Sequence, residues 1–231
     1  MEEQLGEKFF INGLCLHCNL AQDELKNFEH FHSETETAWK RKDDSLQREL
    51  DETLKKYPEE HHQDIVESHG WELHLNQYKY PSMHRESILI TLYNFLENQL
   101  NQLCKIISES IDGDIKLKDL YGQGINRAFL YLSKVAKFDL TKMGGELSNI
   151  KSVNLLRNQI VHNGGVLPKE SAHKLNEFIS QQLNLAGNPG NTVIIRAEFI
   201  NEFIEKLINF FEKLDIEVQK FMSVAMDKAN A

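Results

Sequence analysis

Between Ile88 and Ile107, apolar residues recur in three- and four-residue steps: Ile88, Leu89, Leu92, Phe95, Leu96, Leu100, Leu103 and Ile107. That is the period of an α-helix, and the stripe is wide. A helix this apolar must bury most of its circumference, so Ser87 to Ile107 is expected at the centre of a core. A second stripe, Phe199, Phe203, Leu207, Phe210, Phe211, Leu214 and Phe221, has the same period near the other end of the chain. No sustained alternation of period two competes with these stripes. The expected fold class is therefore all-α, a helical bundle. Thr192 to Ile195 is β-like and follows a turn at Asn188-Pro-Gly-Asn191, so at most a tiny hairpin is expected near residues 188–196.

The first 80 residues read as helical and polar. Leu5, Phe9, Phe10, Leu14, Leu16, Leu20, Leu25 and Phe28 form an amphipathic pattern, and Trp39, Leu46, Leu50 and Leu54 a thinner one. Pro58-Glu59-Glu60 reads as a stop and a fresh start, with the next helix running to about Tyr80. Pro81-Ser82 opens the following element, with Ser82 or Ser87 as its cap. Residues 1–80 are thus expected as a helical extension packed on or covering a bundle of residues 81–231. Within that bundle, Asp112-Gly113-Asp114 is expected to close the central helix. Tyr121 to Gly124 is read as irregular. Ile125 to Val135 is a short helix with Phe129 and Leu132 inward, and Met143-Gly144-Gly145 is a break. Pro168-Lys169-Glu170 is the start of a helix leading to Phe178, Ile179 and Leu183.

The stretch from Ile150 to Gly165 carries the chemistry. Ile150, Val153, Leu156, Ile160 and Val161 approach a helical period, and Asn163-Gly164-Gly165 tolerates the positive φ of a helix end. Arg157 and His162 are five residues apart, roughly 140° around a helix. Asn158 and His162, four apart, share a face. Arg157-Asn158-x-x-x-His162, in its setting Leu155-Leu156-Arg-Asn-x-Ile160-Val161-His-x-Gly164, resembles the R-x(4–6)-H motif of the HEPN superfamily of helical domains. The preceding core helix, with Glu97 in it, is similar to that family's, and the resemblance covers about residues 82–220.

It implies a HEPN-type bundle acting as a metal-independent endoribonuclease, a toxin or abortive-infection effector of anti-phage defence. Arg157 and His162 would be catalytic at a homodimer interface, with Asn158, Asn163 and Glu97 in support. The implied partners are RNA, a second copy, and an antitoxin or defence-system protein; no metal or cofactor is implied. In some family members a Tyr two residues after the motif His is modified, and here that position is Gly164. The alternative is a non-catalytic module of the same fold that binds a nucleotide or a protein. The residue types suit the chemistry. Imidazole moves protons near neutral pH, and guanidinium offers a planar fork to phosphate oxygens.

Charge bears on this reading. The 231 residues carry a formal net charge of −9, yet residues 116–196 hold eleven Lys/Arg against five Asp/Glu. The segment around the motif is basic on an acidic chain. Other chemistries lack their motifs: there is no phosphate-cradling G-x(4)-G-K-[ST] loop, no G-x-S-x-G elbow and no H-E-x-x-H. Cys15-x-x-Cys18 followed by His30-x-His32 departs from zinc-finger spacing, so the cysteines are read as free thiols on a helix. His61, His62, His69 and His74 are read as surface residues. With three cysteines, no apolar run of membrane length and an acidic N-terminus, the chain is expected to be cytoplasmic and to bind no membrane.

Overall fold

The computed structural model describes residues 2–110 and 115–230. The expected Asp112-Gly113-Asp114 helix end lies outside them. The fold is all-α, 81% helical. The elements are α1 (Glu2–Ile11), α2 (His17–Lys56), α3 (His62–His74), α4 (Tyr80–Ser110), α5 (Gly124–Lys134), α6 (Gly144–Asn163), α7 (Lys174–Ser180) and α8 (Ala197–Asn230). Strands β1 (Leu185–Ala186) and β2 (Ile194–Ile195) pair antiparallel and make the one sheet among the described residues. No helix among those residues is long and apolar enough to cross a membrane.

The chain forms two compact units. Unit 1 comprises Met1–Asn27, Thr91–Leu156 and Glu202–Ala231; unit 2 comprises Phe28–Ile90 and Arg157–Asn201. Unit 1 is built on the two apolar stripes. Leu92, Leu96, Leu100, Leu103 and Ile107 of α4 are buried, as are Phe203, Leu207, Phe210, Phe211 and Leu214 of α8. Phe129 of α5 meets Phe210 edge to face, with ring centroids 6.0 Å apart. In α1 and the turn after it, Phe9 and Leu14 are buried, but Phe10 and Leu16 are exposed. The expected continuous amphipathic helix is interrupted there, because Gly13 takes φ +77° and a short 3-10 turn follows.

Unit 2 has a smaller core of Leu46, Leu50, Ile88, Leu89, Ile160, Phe178, Ile179, Val193 and Phe199. Gly187, just after β1, is tightly enclosed. A Cβ there would lie 2.7 Å from Leu167 Cδ1 and 3.4 Å from Val193 Cα. Leu167 is itself buried. Gly187→Ala is therefore expected to cost about 1–3 kcal/mol by overpacking, read as a lower urea midpoint. Leu167→Ala should cost less in the Gly187→Ala chain than in wild type, because the two changes share one space.

Several boundaries differ from those read in the sequence. Neither Ser82 nor Ser87 caps α4: their hydroxyls donate to Glu86 Oε1 and to the Met83 carbonyl. The reason is that no free helix start exists there. A wide π-turn, Leu75–Lys79, joins α3 to α4, and the Tyr80 N–H bonds to the Leu75 carbonyl. A π-turn relaxes the ladder at the point where Pro81 supplies no N–H, so helical backbone continues past the proline. Gly144 and Gly145 are not a break but the first turn of α6. The helix after Pro168 starts only at α7, where His173 Nδ1 accepts from the Leu175 N–H at 3.2 Å. Leu183, which that helix was expected to reach, lies beyond α7 and is exposed.

His17, the first residue of α2, is buried in unit 1, and its Nε2 lies 3.0 Å from the Gln99 carbonyl oxygen. Burial holds its pKa below the ordinary 6.5, against the opposing pull of that carbonyl. The unfolded chain takes up a proton near pH 6.5 and the folded chain only at lower pH. Between those values the unfolded state binds more protons, so stability falls as pH drops below about 6.5 and levels off below the folded pKa. Urea denaturation at about pH 7.5 and 5.5 should show a smaller pH dependence for His17→Gln than for wild type.

Candidate active site at the end of α6

The buried face of α6 is formed by Ile150, Val153, Leu156 and Ile160. Val161, counted with that face in the sequence, is exposed, since it is turned roughly 100° from Ile160. Arg157 is half-buried on the shoulder of this face; His162 and Asn163 are exposed in the last turn. Arg157 Nη1 donates to Asn158 Oδ1 at 3.0 Å. Asn158 thus lends its oxygen to the guanidinium.

The helix end is firmly built. Gly164 and Gly165 have φ of +58° and +74°, and the Gly165 N–H bonds to the Gln159 carbonyl at 3.1 Å. The bond reaches back six residues, past two glycines in the left-handed region that end the helix. Asn163 Nδ2 donates to Gln159 Oε1 at 3.1 Å, and Gln159 Nε2 donates to the Val166 carbonyl. The Val193 N–H then bonds to the Gly165 carbonyl at 2.9 Å, and Leu167 N–H to Asn191 O at 2.9 Å. Asn163 therefore fastens the helix end, with Gln159 as its partner. Gln159 was not singled out in the sequence; the four-residue spacing to Asn163 was the available signal.

Arg157, Asn158, His162 and Asn163 all belong to unit 2, whereas Glu97 belongs to unit 1. Glu97 is half-buried in α4, and a Cβ on Gly124 would meet both its carboxylate oxygens at 3.6 Å. Its charge therefore sits by the first residue of α5, where a helix N-terminus favours an anion.

Chemically, the end of α6 presents a guanidinium steadied by a neighbouring amide and a solvent-accessible imidazole on one capped helix. Elsewhere, unit 1 contains a cavity of about 740 Å³ that the sequence did not reveal. Val135, Phe138 and Phe221 supply apolar wall, and Lys137, Lys220 and Lys228 supply charge. Lys220 is paired with Glu217 at 2.5 Å. All three cysteines are free thiols: Cys15 half-buried, Cys18 and Cys104 buried. Burial pushes the Cys104 thiol up to about 12, so it is not a ready nucleophile. No family model matches the chain, and no curated protein or solved structure matches it.

Proposed function

We propose that the chain is a metal-independent endoribonuclease of HEPN type, with Arg157 and His162 as its catalytic pair and a defence or toxin role. The observation that carries this reading is the pairing on α6: an oriented, half-buried Arg157 and an exposed His162, five residues on, beside a rigid cap. The 2′-OH of RNA is a built-in nucleophile. His162 would move its proton, and Arg157 would hold the phosphate oxygens as negative charge grows on them. Products would be a 2′,3′-cyclic phosphate and a 5′-hydroxyl end. Cleavage benefits from a separate acid and base, and one chain offers a single such imidazole here. A homodimer would bring two Arg157/His162 pairs to one cleft.

A second reading is favoured by the unit 1 cavity. Apolar wall with several lysines suits a small acidic ligand such as a nucleotide, which is the binding-module alternative. One experiment separates the two. Purified chain is incubated with total cellular RNA, with and without EDTA, alongside His162→Ala. Cleavage by wild type but not by the variant supports the nuclease. An inert wild type whose Tm rises with added nucleotide supports the binding module.

A further inference from the structure

His32, Glu36 and His84 converge inside unit 2, and neither reading above uses them. His32 and Glu36 lie one turn apart on α2, and His84 comes from the first turns of α4. One donor atom from each lies within 4.8 Å of the other two, the one cluster of this kind among the described residues. His32 is fully buried; Glu36 and His84 are half-buried.

The hydrogen bonding around the cluster is directional. His32 Nε2–H donates to the Ala197 carbonyl at 3.1 Å. That bond fixes the tautomer, leaving the Nδ1 lone pair pointing inward. His84 Nε2 lies 3.0 Å from that Nδ1. A backbone carbonyl holding the outer N–H of a histidine is the usual support of a metal-ligating imidazole. Two imidazole nitrogens on one tetrahedral zinc, with bonds of about 2.0–2.1 Å, stand about 3.3 Å apart. The observed spacing is close to that value. Arg85 grips Glu36 through both nitrogens, Nε to Oε1 at 2.7 Å and Nη2 to Oε2 at 2.6 Å, and donates Nη1 to the Ile195 carbonyl. Arg85 thereby orients the carboxylate from outside the cluster.

We propose that His32 Nδ1, His84 Nε2 and the Glu36 carboxylate hold one divalent transition-metal ion of the zinc class. Two neutral imidazoles and one carboxylate form a nitrogen–oxygen set suited to such an ion rather than to Ca²⁺ or Mg²⁺. Three protein donors leave a fourth position for water. The ligands come from α2 and α4, so a bound ion fastens these two helices to each other. The sequence concealed it because His84 stands 52 positions from His32. The His30-x-His32 pattern misdirects, for His30 is exposed and outside the cluster.

The test is a zinc titration of the chelator-treated full chain, followed by Tm, with Co²⁺ as a visible probe of the same site. One zinc per chain is expected. A hundredfold excess over Kd should raise Tm by roughly 5–10 °C. His84→Ala should lose the shift and the cobalt bands, whereas His30→Ala should keep both. Should His84→Ala fail to fold, Glu36→Gln decides, since it keeps the shape and one of the two acceptors facing Arg85 but drops the charge. It should weaken zinc at least tenfold. No zinc-dependent shift in wild type overturns the proposal, leaving a histidine–histidine hydrogen bond beside an ion pair. An unchanged shift in both His84→Ala and Glu36→Gln overturns it as well. RNA cleavage does not enter this test, so it can fail without touching the nuclease reading.

Discussion

His162→Ala is expected to abolish cleavage of cellular RNA while leaving the helical content, read by circular dichroism, unchanged. His162 is exposed and lies outside the buried face of α6, so truncating it removes little packing. Arg157→Lys is expected to lose about a hundredfold or more in rate, equivalent to roughly 3 kcal/mol of transition-state stabilisation. A lysine is a point charge and cannot reproduce a two-pronged contact with phosphate. It also gives up the planar geometry with which Nη1 reaches Asn158 Oδ1. Initial rates on total RNA and on short single strands measure both effects, and slowed growth of a host cell expressing wild type alone would agree with them. A His162→Ala protein that cuts as fast as wild type would place the chemistry elsewhere. An Arg157→Lys protein that melts early would mean that Arg157 mainly holds the fold.

Phe210→Ala is expected to have the largest effect on stability. Phe210 is fully buried in α8, edge to face with Phe129 and with Phe211, the latter at 5.4 Å between centroids. Removing the ring forfeits its burial and leaves a cavity that rigid helical neighbours fill only in part. Such truncations cost about 3–5 kcal/mol. For a chain of this size that lowers Tm by roughly 6–20 °C. Because total stability is typically about 5–15 kcal/mol, the variant should sit near its folding threshold. Thermal melts at low protein concentration would read this directly. A change under about 1 kcal/mol would mean that the core there repacks freely.

Much of the fold was legible because helical burial is a local, periodic signal. The stripes of α4 and α8 named their buried residues almost one by one. The hairpin was legible through Pro189-Gly190 and the β-branched residues after it. What stayed hidden depends on neighbours far along the chain or on backbone detail. Pro81 reads as a boundary until the π-turn before it removes the need for its N–H. Gly144 and Gly145 read as a break, yet nothing within 4 Å opposes a side chain there, and the helix simply starts early. At the candidate site the sequence brought out Arg157, Asn158 and His162. It could not show that Asn158 serves the arginine or that Asn163 serves the cap, since both assignments depend on which of several reachable partners each amide chooses.

The division of the chain into units bears on how the protein is made. Unit 1 draws on residues 1–27 and again on residues from Glu202 onward. Synthesis runs in one direction, at about 5–20 residues per second. The first helix must therefore wait on the order of ten seconds, emerged and exposing Phe9, before α8 and its Phe221 exist to cover that ring. During that interval its apolar face is open to chaperones, and closing the unit then means joining segments separated by most of the chain. For an all-helical protein this predicts a late, comparatively slow final step of folding, timed by the ribosome.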